Sequence, residues 1–99
     1  MRESDVEAYL VESVQALGGE VRKVSWIGRR GAPDRVVMLP PRRVDGKPWV
    51  RGPATIWVEV KAPGEKAKPH QTREYTRMRD VGQRVAVVDS FEAVDEVLR

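Results

Sequence analysis

Ala54-Thr55-Ile56-Trp57-Val58-Glu59-Val60-Lys61, followed by the breaker Ala62-Pro63-Gly64, is the stretch on which the fold turns. Its β-branched and aromatic residues favour an extended strand. Side chains on a strand alternate in direction, so Ile56, Val58 and Val60 share one face and Trp57, Glu59 and Lys61 the other. Glu59 and Lys61 are then neighbours about 6–7 Å apart along the strand. A carboxylate and an ammonium near the end of an interior strand are costly unless they pair or bind a cation. Two readings stand at this point: a Glu59–Lys61 ion pair on a half-exposed sheet face, or one edge of a cation site.

The elements on either side complete a pattern. Downstream, Pro69 suits the first turn of a helix that runs to about Val81 and is closed by Gly82. Arg84–Val88 is a short strand apolar on both faces, which predicts an interior position in a sheet. Ser90 is placed to cap a last helix over 91–98. Strand 54–61, the helix and strand 84–88 form a βαβ crossover, so these two strands are expected to be parallel with a right-handed connection. Upstream, Val6, Tyr9, Leu10, Val14 and Leu17 recur at spacings of three and four, which predicts an amphipathic helix stopped by Gly18-Gly19. Strands are predicted over 20–27 and 34–39. Residues 40–53 read as a long Pro/Gly-rich connection with a hairpin-type turn at Val44-Asp45-Gly46-Lys47. The order is αβββαβα: an α/β domain with a mixed four-stranded sheet flanked by helices.

Composition bounds what such a domain does. Its 99 residues allow a single domain over 1–99. Hydrophobic residues at 40% and charged ones at 33% fit a globular chain, not a disordered one. No apolar run approaches a membrane span. Met1-Arg2-Glu3-Ser4-Asp5 does not read as a signal peptide, so the expected compartment is the cytoplasm, of a bacterial or phage-infected cell. The absence of cysteine removes thiolate chemistry, and the single histidine, His70, removes His-pair metal sites. A metal site would therefore use oxygen ligands, which suits magnesium or manganese. The charge is uneven. Residues 22–51 hold nine basic residues against Asp34 and Asp45, a local net of +7 in a chain whose total is +3. That clustering suggests a polyanionic partner.

Asp34 adds to the picture. It follows Gly31-Ala32-Pro33 at the start of a predicted strand, and adjacent strands lie about 4.8 Å apart, so it could face Glu59 across the sheet. Two carboxylates so placed repel each other unless a cation lies between them. A turn-capping role for Asp34 is the plainer alternative. Ala32-Pro33-Asp34 followed by Glu59-Val60-Lys61 resembles the Pro-Asp…Asp/Glu-x-Lys nuclease signature. Together with Glu3–Leu10, Gly28–Asp34, Val58–Gly64 and the Gln71 region, the chain resembles the virus-type replication–repair nuclease (VRR-NUC) domain from Glu3 to about Val94. Such domains are similar to archaeal Holliday-junction resolvases. The long 40–53 insert departs from the family pattern.

The resemblance implies a restriction-endonuclease-like, PD-(D/E)XK fold and a metal-dependent endodeoxyribonuclease. It implies that Glu7, Asp34, Glu59 and the Val60 carbonyl bind Mg²⁺, with Mn²⁺ as substitute. It also implies that Lys61 orients the attacking water and that Gln71 completes the catalytic set. Glu7 has a competing explanation: Ser4-Asp5-Val6-Glu7 fits a helix capping box. Gln71 lies on the apolar stripe with Tyr75 and Met78, and could equally satisfy the 62–68 loop or stand beside Lys61. His70 has no matching family role and reads as a surface residue. Arg29, Arg30 and Arg35, flanking Asp34, are the expected DNA contacts. The expected substrate is a branched, four-way DNA junction cut by a homodimer, with Trp26, Trp49 and Trp57 as possible interface material. Two alternatives are a catalytically silent nucleic-acid-binding module on the same fold and a sequence-specific restriction-type nuclease.

Overall fold

The computed structural model describes Met1–Arg99. Helix α1 spans Glu3–Ala16, β1 Glu20–Lys23, β2 Arg35–Leu39, β3 Arg42–Arg43, β4 Val50–Arg51, β5 Ala54–Val60, α2 Pro69–Asp80, β6 Val85–Val88 and α3 Phe91–Leu98. The main sheet has the order β1-β2-β5-β6. β1 and β2 pair antiparallel, as do β2 and β5, while β5 and β6 are parallel. This is the mixed four-stranded α/β architecture of the restriction-endonuclease-like fold.

The alternation along β5 separates two apolar layers. Ile56, Val58 and Val60 point into a core built with Val6, Leu10 and Val14 of α1 and Val94 and Leu98 of α3. The opposite face carries Trp57, which packs against the smaller cluster of Tyr75 and Met78 from α2 and Val85 from β6. Helices α1 and α3 therefore cover one face and α2 the other. The α1 stripe meets this core as its spacing predicts. Gly18, with φ +81°, closes the helix while its N–H bonds the Gln15 carbonyl. Ser90 Oγ accepts from the Ala93 N–H and caps α3.

Three sequence expectations need correcting. The strand expected over 20–27 ends at Lys23, because Trp26 is drawn out of the sheet. Its indole donates to the Pro33 carbonyl at 2.7 Å and its ring lies against Trp57 at 5.2 Å. Strand β6 is an edge strand, not an interior one. Its two apolar faces are explained by burial between α2 and α3, since a helix on each face demands the same composition as a central position. The 40–53 connection forms its own two-stranded ribbon, β3 with β4, around the predicted turn. Arg42 and Arg51 hold this ribbon to the carboxy-terminal end of α3 through the Leu98 and Arg99 carbonyls.

Candidate active site

The β2–β5 register fixes the heart of the site. Arg35 pairs with Val58 and Val36 with Trp57, so one further step along the ladder sets Asp34 opposite Glu59. The expected facing of these carboxylates is thus written into the strand pairing. Burial first, and then the charge of Asp34, raise the Glu59 carboxyl above its usual range, with Lys61 opposing.

Asp34 is delivered there by a tight loop. Gly31 has φ +86°, a conformation that side chains disfavour, and a Cβ on it would lie 3.0 Å from His70 Cδ2 and 3.1 Å from the His70 carbonyl. Only glycine lets the loop press against the start of α2. The next anchors are the buried Pro33 ring and the Trp26 bond to the Pro33 carbonyl.

Lys61 is 6% exposed, yet it does not pair with Glu59. Its Nζ donates to Gln71 Oε1 at 3.1 Å and stands 3.6 Å from Glu65 Oε1. The same Gln71 oxygen accepts the Lys68 backbone N–H at 2.9 Å. Gln71 therefore unites both of its expected roles: it caps α2 and it holds Lys61.

Glu7 is placed differently from either expectation. The α1 cap belongs to Asp5, whose Oδ2 accepts the Arg2 N–H at 2.7 Å. Glu7 instead receives Arg35 through Nε at 3.0 Å and Nη2 at 2.8 Å. The Arg35 Nη1 reaches Asp34 Oδ2 at 3.0 Å. The structure does not gather Glu7 with Asp34 and Glu59, and no three acidic or histidine side chains form a ready metal cage. Glu3, one helical turn before Glu7, is the α1 carboxylate whose charge is felt at Glu59. The i, i+4 spacing of Glu3 and Glu7 was the available signal, because both lie on one helical face.

The expected DNA-contact residues also divide. The Arg35 side chain is 12% exposed and committed to Glu7 and Asp34, so it is a structural link and not a free phosphate contact. Arg29 pairs with the buried Glu74 at 3.3 Å, which Arg77 also holds. Arg30 precedes Gly31, which lies against His70 at the start of α2. Burial, followed by the charges of Arg30, Lys68 and Arg73, lowers the His70 imidazole. This basic group at the amino-terminal end of α2 was missed in the sequence because it is assembled from two distant segments. Arg42, Arg43 and Arg51 lie at the other end of β2 and β5 from Asp34 and Glu59. Of the tryptophans, Trp57 packs on the α2 side with Trp26 against it, while Trp49 stands exposed on the ribbon.

Two carboxylates in register across β2 and β5 are a suitable donor pair for a hard divalent cation. Mg²⁺ needs only one or two carboxylates and fills its remaining positions with water and substrate oxygens. No family model matches the chain. A protein named "Putative nuclease p44" of Acyrthosiphon pisum secondary endosymbiont phage 1 is 42% identical over 90 residues, spanning 91% of this chain and 85% of its own. A solved structure described as a VRR_NUC domain aligns with TM-score 0.77 and 43% identity, over 97% of this chain and 92% of that one.

Proposed function

Because this chain belongs to the VRR-NUC nuclease family, we propose that it is a Mg²⁺-dependent endonuclease that hydrolyses DNA phosphodiesters, acting as a homodimer on four-way junctions. The observation that carries the reading is the facing of Asp34 and Glu59 across β2 and β5, with Lys61 held beside them by Gln71. A site built only to bind a polyanion has no use for two facing acids.

In this reading Asp34, Glu59 and the Val60 carbonyl hold the cation. When bound, it supplies Lewis acidity toward a phosphoryl oxygen and toward the attacking water. The protein's own groups do the rest. Arg35 fixes the Asp34 carboxylate by tying it to Glu7. Lys61, desolvated and aimed by Gln71, orients the water and offsets charge growing on the transferring phosphate. Arg30 and Lys68 attract the strand to this end of the sheet.

The substrate preference rests on symmetry. A chain with a radius of gyration of 13.8 Å covers one scissile site. A four-way junction offers two related by a two-fold axis, which a C₂ dimer would match. No helix is long and apolar enough to cross a membrane, and a cytoplasmic site of action accords with a DNA substrate. Light scattering combined with cleavage of linear, flapped and four-way DNA tests this part. A dimer making paired nicks in the junction is expected. A monomer that cuts linear duplex and junction equally would remove the resolvase reading.

A further inference from the structure

The Tyr75 hydroxyl is the one buried side-chain polar atom without a hydrogen-bond partner. Tyr75 is only 2% exposed, so water does not easily supply the missing bond. A buried unsatisfied hydroxyl is destabilising, and phenylalanine would fill the same space without that penalty. Local packing therefore gives no reason for tyrosine here.

Its surroundings do. Tyr75 forms a cluster with Met78 and Val85, against which Trp57 and Val87 pack. Trp57 precedes Glu59 by two residues on the same face of β5, and Val87 is the register partner of Glu59 on β6. The ring thus lies among the neighbours of the Glu59 carboxylate. Burial, then the nearby Glu59 charge and a hydrogen-bonding contact with that carboxylate, raise the hydroxyl, although the contact falls short of good bond geometry. Gln71, four residues earlier on the same face of α2, holds Lys61. Helix α2 therefore addresses both β5 charges, one of them through a bond already made.

We propose that Tyr75 is a positioning residue for the metal site, its O–H donating to the Glu59 carboxylate when that carboxylate holds a divalent cation. The inference rests on the metal-dependent reading above and assigns the hydroxyl a well-formed bond in the loaded site in place of its poor contact with Glu59. A bond donated to a ligating carboxylate fixes its orientation, and losing such a partner typically weakens metal binding by about 10- to 100-fold.

Mn²⁺ alone is the probe, titrated into wild type, Tyr75→Phe and Glu59→Gln by electron paramagnetic resonance of the free ion. Urea unfolding of each protein in EDTA runs alongside. Wild type is expected to bind Mn²⁺, Glu59→Gln to lose binding, and Tyr75→Phe to bind about ten-fold more weakly. In EDTA, Tyr75→Phe should unfold at an equal or higher urea concentration than wild type. Wild-type affinity in Tyr75→Phe, with binding lost in Glu59→Gln, overturns the inference and leaves the metal reading standing. A lower urea midpoint in EDTA also overturns it, because the hydroxyl would then be bonded in the metal-free protein. Failure of wild type to bind, or full binding by Glu59→Gln, removes the metal reading and this inference with it.

Discussion

Glu59 gives the most informative single residue change. Burial, then Asp34, holds its carboxyl above the ordinary carboxylate range. A carboxyl raised in the folded state favours folding while protonated, and its contribution is lost as pH rises through the folded value. At neutral pH without metal, the ionised Glu59 therefore works against the fold. Glu59→Gln in EDTA should unfold at a higher urea concentration than wild type at pH 7.5, and that advantage should fade as pH is lowered past the folded value. The same variant should lose several kcal/mol of transition-state stabilisation, about a thousand-fold in cleavage rate. Arg35 makes a contrasting case. Glu7→Gln should leave the α1 cap intact, because Asp5 supplies it. It should nevertheless cost about 1–2 kcal/mol by weakening a charge-assisted bond to a largely buried guanidinium. Its cleavage rate should fall only partially, since Asp34 keeps its own contact with Arg35. Loss of cleavage equal to that in Glu59→Gln would return Glu7 to the metal site.

Among the elements, β5 and α1 were readable because their periodicities are complete. The alternation through Ile56, Val58 and Val60 and the stripe through Val6, Leu10 and Val14 each meet one core. The facing of Asp34 and Glu59 was also legible, as it follows from strand spacing once the two strands are placed. The end of β1 was not, because Trp26 leaves the sheet for Trp57 and Pro33, partners remote in sequence. Nor was the edge position of β6, since apolar residues on both faces report burial and not the number of neighbouring strands. The fate of Glu7 was hidden for a similar reason: nothing local announces that Arg35 will cross from β2 to meet it. Two element ends offer tests. Gly31→Ala puts a side chain into a left-handed loop position against His70, and should cost about 1–2 kcal/mol with reduced cleavage. Gln71→Ala removes a cap and the holder of Lys61 together. Thermal unfolding should report a loss of about 1 kcal/mol, and steady-state kinetics a 10- to 100-fold fall in kcat with KM little changed.

For the whole molecule, the basic stretch divides into groups with different work. Arg42 and Arg51 secure the ribbon to α3, Arg35 pairs with Glu7 and Asp34, and Arg29 pairs with the buried Glu74. Only part of the +7 counted over 22–51 is therefore free for a polyanion, and Arg30, on the loop that leads to Asp34, acts on His70 together with Lys68 and Arg73 at the start of α2. Arg30→Ala and Lys68→Ala should each reduce the slope of log K against log salt by about 0.9 on duplex DNA. Arg42→Ala should leave that slope unchanged while lowering stability. Fluorescence anisotropy across a salt series distinguishes the two. The central claim, that facing Asp34 and Glu59 carboxylates hold a cation which breaks a phosphodiester bond, is tested most directly by single-turnover cleavage of a labelled four-way junction. The assay compares wild type with Glu59→Gln, each in Mg²⁺ and in EDTA. The prediction is cutting by wild type in Mg²⁺ alone, with Glu59→Gln folded but inactive in both; cutting by wild type in EDTA, or by Glu59→Gln at the wild-type rate, would contradict it.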